Sequence, residues 1–376
     1  MRPASVVFFL LIGLVTSCYK VYEPQVDVTE KVLVVDGLMT NQADAYHVVL
    51  TYARPFNSTK TSTPISSANV YVTDNLGNSY IFNEMGDGDY KSDSLLFTGI
   101  AGRTYKLHIV TPNGEKYESD NQRLFPEVYP DSVYAEFDNQ EILHRITGLK
   151  VNTHGADILI DIRNQSDTLS RYRFKSNLVR QYFYIIYVYM EPSILFYCWQ
   201  TADANSNINL TNEEYSLDSA SIRKHQVCFI DDNLYCNALY YSYSESHYQG
   251  NLQYKVVLTA FSQSYEIHNR ILYLNQYTLN NETYLYYKSL NEQMQSEGNL
   301  FDPIAAQLTG NIKCISDPGI STIGFFEASS VHKFAYIVDF RNLTNSQPTL
   351  IKTPYILPPE PIGCRINNAP SFWIFI

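Results

Sequence analysis

Cysteine and histidine are the side chains best suited to metal ligation, redox and acyl chemistry near neutral pH. The chain holds six of the first and eight of the second. The histidines, at positions 47, 108, 144, 154, 225, 247, 268 and 332, are scattered. None belongs to an H-E-x-x-H pattern, which would set two imidazoles on one helical face over a zinc ion. The cysteines include no C-x-x-C, so zinc-ribbon and thioredoxin-like chemistry has no pair to use. The nucleophile elbow G-x-S-x-G, the P-loop and G-x-G-x-x-G are missing too. Three aspartates bunch in "MGDGDYKSD" (Met85–Asp93). They lack the glutamate at position 12 that completes an EF-hand loop, and read as a polar hairpin turn. The expectation is a protein that is not an enzyme and carries no metal and no cofactor.

The cysteine with a strong local context is Cys18. Arg2 precedes an apolar run, Val6–Val15, which ends in Thr16, Ser17, Cys18 and Lys20. A helix needs about 20 apolar residues to cross a bilayer, so this shorter run reads as a secretory signal, residues 1–17. Val15-Thr16-Ser17-Cys18 resembles the lipobox of bacterial lipoproteins. In that family the cysteine is acylated on sulfur and becomes the first mature residue. Each buried CH₂ contributes ~0.8 kcal/mol, so several acyl chains anchor stably where one does not. Residues 18–29 then form a tether, and nothing later resembles a transmembrane helix.

Export permits disulfides among the other five cysteines, and an odd number leaves at least one thiol free. The candidate pairs are Cys228 with Cys236, close enough to close a hairpin, and Cys314 with Cys364, which would staple the C-terminal tail. A net charge of -11 argues against nucleic acid as a partner, because phosphates need a basic surface. Tyrosine is abundant, 32 residues. It suits β-strands and also contact surfaces, where it gives large area at low entropy cost.

These residues must be positioned by β-structure. Residues 30–125 alternate apolar and polar with the period of strands, broken by turns at Asn75–Asn78 and Pro112–Gly114. Many short strands at this spacing predict a β-sandwich. The pattern A-x-V-x-V-x-D-x-x-G followed by G-x-x-Y-x-L-x-I resembles transthyretin-like and immunoglobulin-like modules. "LFPEVYPDSV" (Leu124–Val133) reads as the boundary to a larger β-rich domain, residues 126–345. Within it "QYFYIIYVYM" (Gln181–Met190) is apolar on both alternating faces, as a central strand would be. The period changes over 281–297, where Thr283, Tyr287, Leu290 and Met294 share one helical face and Gly298 stands at the stop. A proline-rich tail, 346–376, closes on "PSFW".

The lipobox ending at Cys18, "LVVDGLMTN", "YYKSLNEQMQSEGNLFDPIAAQLTGNI" (Tyr286–Ile312), "GFFEAS" (Gly324–Ser329) and "GCR…PSFW" occur together. In this combination the chain resembles a family of Bacteroidota outer-membrane lipoproteins classed as a domain of unknown function. The resemblance implies an outer-membrane lipoprotein, often encoded beside a TonB-dependent receptor, with no known ligand. Asp93-Ser94-Leu95, Asp131-Ser132-Val133, Asp167-Thr168-Leu169 and Asp218-Ser219-Ala220 resemble the acceptor of Bacteroidota O-glycosylation. That makes Ser94, Ser132, Thr168 and Ser219 candidate acceptors. The functional expectation is a lipid-anchored binding protein of the outer membrane that assists a TonB-dependent receptor in nutrient capture. The alternative is a structural or adhesive surface lipoprotein.

Overall fold

The computed structural model describes residues 32–53, 62–143, 150–163, 171–186, 194–203, 208–210, 222–231, 244–249, 252–257, 267–295, 308, 310–338, 350–351 and 364–366. The signal, the tether with Cys18, and the positions Thr168, Ser219, Cys236 and Gly298 lie outside them. The first strands are β1 (Leu33–Met39), β2 (His47–Tyr52), β3 (Thr63–Pro64), β4 (Asn69–Asp74), β5 (Ser79–Gly86), β6 (Asp89–Ser92), β7 (Thr104–Val110), β8 (Lys116–Ser119) and β9 (Gln122–Arg123). There follow β10 (Ser132–Leu143), β11 (Lys150–Arg163), β12 (Arg171–Ile186), β13 (Ile194–Asp203), β14 (Asn209–Leu210), β15 (Ile222–Asp231), β16 (Ser244–Gln249), β17 (Leu252–Val257) and β18 (Ile267–Leu279). Helix α1 (Asn281–Gln295) precedes β19 (Ile312–Cys314), β20 (Thr322–Ala328), β21 (Ser330–Val338), β22 (Leu350–Ile351) and β23 (Cys364–Ile366). The fold is mainly β, as the strand period predicts.

The N-terminal alternation becomes one face of an 11-stranded sheet whose main path runs β19-β8-β7-β4-β5-β6-β2-β1-β20. Leu33, Val35 and Met39 of β1 and Tyr105, Leu107 and Ile109 of β7 all turn to the same core. Period-two patterning requires this once one face is buried. Phe97 is the centre of that core, stacked on Tyr80 at 4.0 Å and edge-on to Tyr46 at 5.3 Å. Aromatic pairs of this geometry contribute about 0.5–1.5 kcal/mol beyond the area they bury. The turns fall where glycine marks them, with Gly77 at φ 85° and Gly114 at φ 91°. Met85–Asp93 does carry the β5–β6 hairpin.

The two end strands of this sheet, β19 and β20, are consecutive in the chain and meet. The buried Asn311 side chain accepts from Phe326 N and donates to Phe326 O, both at 2.9 Å. A side-chain amide thus does the work of a strand partner, and the sheet is nearly closed. β20 also pairs parallel with β1, Val35 opposite Gly324. The approach there is very close. A Cβ on Gly324 would lie 1.8 Å from Val35 O, and one on Gly310 would lie 1.7 Å from Gly324 O. The sheet expected from residues 30–125 therefore includes strands from residues 312–328.

The other sheets are three-stranded, β10-β11-β15, and seven-stranded, β22-β21-β18-β12-β13-β23 with β14 on β12; β16 and β17 form a separate hairpin. Ile158, Ile160 and Val227 from the first share a core with Phe174, Leu272, Leu274 and Phe334 from the second. β12, which carries the start of the expected central strand, lies between β18 and β13. β18 is buried on both faces from Arg270 to Leu279. Leaving Ala328, the chain passes through Ser329, whose N–H donates to Met39 O, into β21 of the second sandwich. The connecting segment is pinned at the same place. Glu127 accepts from Asn41 Nδ2 and pairs with His332 Nδ1, both at 2.7 Å.

Helix α1 corrects one expectation. Thr283 and Tyr284 are buried and Tyr287 is half-buried, but Leu290 is only half-buried and Met294 is 56% exposed. The buried stripe thus belongs to the first two turns. The helix docks by its N-terminus, and in its last turn Glu292 and Met294 are exposed. Asn280 caps it by accepting from Thr283 N at 2.7 Å. Gln122 of β9, fully buried, accepts from Asn280 Nδ2 and donates to Glu282 Oε2, so the cap is also a joint to the first sheet.

Candidate functional site

In β20 the residues alternate between two environments. Phe326 and Ala328 enter the first core, and Glu327, 1% exposed, turns away from it. In β12 the same alternation sends Tyr172 and Phe174 into the second core and Arg173 to the opposite side. The two outward residues meet. Arg173 Nη2 donates to Glu327 Oε2 at 2.9 Å and to Oε1 at 3.1 Å. The guanidinium lies between two rings, Tyr277 of β18 at 4.2 Å and Tyr287 of α1 at 4.4 Å. The Tyr287 hydroxyl donates to Glu327 Oε2 at 2.6 Å. Four elements therefore converge on one buried charge pair.

The electrostatics follow from the burial. Burial disfavours the charged guanidinium, but the Glu327 carboxylate and the Tyr287 and Tyr277 groups outweigh it and hold the Arg173 pKa above its ordinary value. Burial, followed by the charge of Glu327, pushes the Tyr287 phenol well above its ordinary value. The phenol therefore stays protonated and donates. Asp36, opposite Phe325 in the β1–β20 register, is raised by burial and by Glu327, with Lys175 and Arg173 pulling the other way.

Beside this node a cleft of about 380 Å³ separates α1 from the closing strands. Leu285, Tyr286 and Ser289 line the helix side, and Asp120, Lys313 and Phe325 the sheet side. Tyr286 stacks on Phe325 at 4.5 Å, making one wall aromatic. Lys313 Nζ donates to both Asp120 oxygens, at 2.7 and 2.9 Å, and remains solvent-accessible. The volume is in the range of small-ligand sites, and an apolar wall with a few polar groups suits binding of an amphipathic molecule. A second hollow, about 600 Å³, runs along the β19–β20 turn, lined among the described residues by residues 312–322. Among the described residues it gathers no distant elements, so the cleft at α1 is the better candidate.

The residues singled out from sequence are dispersed. Cys228 is a free thiol in the second core, and burial pushes its pKa up to about 12. Cys314 is a free, buried thiol on β19. Cys364 begins β23 at the edge of the other large sheet, opposite Cys198 of β13. Ser94 lies half-buried in a turn capped by Asp93, which accepts from Leu95 N at 2.8 Å. Ser132 opens β10 and donates to Asp161 Oδ2 at 2.9 Å. Of the histidines, His225 is buried against Phe174, and burial lowers its pKa to about 4.

Sequence reasoning missed Arg173, Tyr277 and the role of Glu327. The available signal was a carboxylate inside the apolar run "GFFEAS", which has to find a cation once buried. A family model described as a domain of unknown function (DUF4249) matches residues 19–335. No curated protein and no solved structure matches the chain.

Proposed function

The chain belongs to the DUF4249 family, and we propose that it is a lipid-anchored binding protein of the bacterial outer membrane, assisting a TonB-dependent receptor in nutrient capture or uptake. The carrying observation is Cys18, placed two residues beyond the apolar run Val6–Val15, after Thr16 and Ser17. Acylated there, the protein has the chain up to Leu33 between its anchor and its first described strand. Fully extended, that stretch reaches at most about 50 Å. A body held so close to the membrane meets membrane partners at high effective concentration, so modest contacts suffice. The aromatic-walled cleft beside α1 supplies a place of ligand size, and the Arg173–Glu327 node lets the two sandwiches present it as one unit.

The test is affinity purification of the tagged, full-length lipoprotein from outer membranes in mild detergent, at native expression. A TonB-dependent receptor is expected to co-purify. Recovery of the lipoprotein alone would overturn the receptor partnership and favour a structural or adhesive surface role.

A further inference from the structure

We propose that Cys198 and Cys364 form a disulfide that fastens the last described strand to the second sandwich. β23 pairs antiparallel with β13, Phe196 opposite Ile366, Tyr197 opposite Arg365 and Cys198 opposite Cys364. Directly opposed residues of an antiparallel pair share a face of the sheet, with Cα atoms ~4.5 or ~5.5 Å apart depending on the hydrogen-bonding position. Both separations fall within the ~4.4–6.8 Å that disulfides span. The register therefore meets the Cα requirement for either kind of pair, and the Cβ requirement of about 3.5–4.5 Å is best met by a non-hydrogen-bonded one. Two competitors are otherwise placed: Cys228 and Cys314 are free and buried, the first in the core between the sheets and the second on the nearly closed sheet.

The bond has a structural task. β23 is an edge strand of three residues. So short a strand contributes few ladder hydrogen bonds, and prolines crowd the sequence just before it, "TPYILPPEPIG". A covalent link holds such a strand in register and covers the edge of β13.

The inference rests on the proposed export, because disulfides persist in oxidising compartments. Formation is by exchange with a disulfide-bearing oxidant. One cysteine thiolate attacks the oxidant's S–S bond and forms a mixed disulfide. The second thiolate then displaces the oxidant as a dithiol. The two cysteine sulfurs are oxidised, the oxidant is reduced, and the two thiol protons end on the departing dithiol.

Trypsin places the two residues on separate peptides, Gln181–Arg223 and Thr353–Arg365, each with a single cysteine. The experiment has two arms. Full-length protein taken from cells is alkylated without reduction, digested and mapped by mass spectrometry. The same protein, reduced and then oxidised with glutathione disulfide, is mapped in the same way. The expected result is one linked species of the two peptides, two hydrogen masses lighter than their sum and lost on reduction, in both arms. Cys198→Ser should leave Cys364 fully alkylated, and Cys364→Ser should do the same for Cys198. A link in the glutathione arm together with free thiols in cells, on chains retaining residues 1–17, would refute export and leave the pairing standing. Free or separately glutathionylated cysteines in the glutathione arm, or a link from Cys364 to Cys314, would overturn the pairing.

Discussion

At the residue scale, the buried Arg173–Glu327 pair is the most consequential contact. Removing one member leaves the other charge stranded, which costs about 3–5 kcal/mol in buried pairs. Glu327→Ala is expected to destabilise by that amount in urea titrations. Arg173→Met with Glu327→Leu should recover most of the loss, because no charge is then left buried. If the double variant is no more stable than Glu327→Ala, charge pairing is not what the node supplies. Asp74 offers a pH-dependent test. Burial alone would raise its pKa, but hydrogen bonds from Asn78, Leu76 N and Arg103 outweigh it and hold the carboxyl at about 2. An unfolded aspartate titrates near ~3.9. The folded pKa is the lower one, so the contribution, about 2–3 kcal/mol, is complete above about pH 5 and is lost as pH falls through the folded value. The stability gap between the wild type and Asp74→Asn should therefore shrink between about pH 5 and pH 2. A gap that stays constant would refute the assignment. Cys18→Ala tests the anchor: the variant should leave the membrane fraction, and fatty-acid label should be lost with it.

At the element scale, α1 is held by its beginning. Asn280 caps the helix and touches Gln122, and Thr283 and Tyr284 are buried, while Met294 is exposed. Asn280→Ala should cost about 1 kcal/mol or more, as N-cap losses do. Met294→Lys should stay within about 0.5 kcal/mol, the range of surface changes. Equal melting temperatures for the two variants would show that the cap carries no weight. The uneven burial also explains the cleft. The helix exposes Leu285 and Ser289 toward β19, and that exposed flank forms one side of the hollow.

At the scale of the whole molecule, one segment stitches the two largest sheets together. Residues 322–338 run as β20 in one sheet and β21 in the other. At Gly324 the first is narrow, and a side chain there would strike the Val35 carbonyl. Gly324→Ala is expected to separate β20 from β1 and weaken both sheets together, because β21 follows directly. Hydrogen exchange should show amides of β1 and β18 losing protection in the same variant. Loss confined to β1 would mean that the two sheets open independently.

The sequence by itself determined the features written in neighbouring residues. These are the strand period of residues 33–123, the glycine turns at 77 and 114, the existence of a helix from 281, and the apolar run that ends at Cys18. Each depends on a pattern only a few residues long, so backbone geometry and burial of one face suffice to read it. The tertiary structure alone decided which strand meets which. Alternation shows that Glu327 and Phe326 face opposite ways, but a carboxylate bound for solvent and one bound for Arg173 are written identically. The closure of the first sheet by β19 and β20 depends on Asn311 and two glycines whose partners lie elsewhere in the chain. Period also placed Leu290 and Met294 on the helix face of Tyr287, and only the docking of the first two turns showed where that face stops being buried. The opposition of Cys198 and Cys364 is a matter of register between strands more than 160 residues apart. Spacing along the chain carries no information about such a register, because any strand of matching period fits an open edge equally well until the rest of the fold selects one.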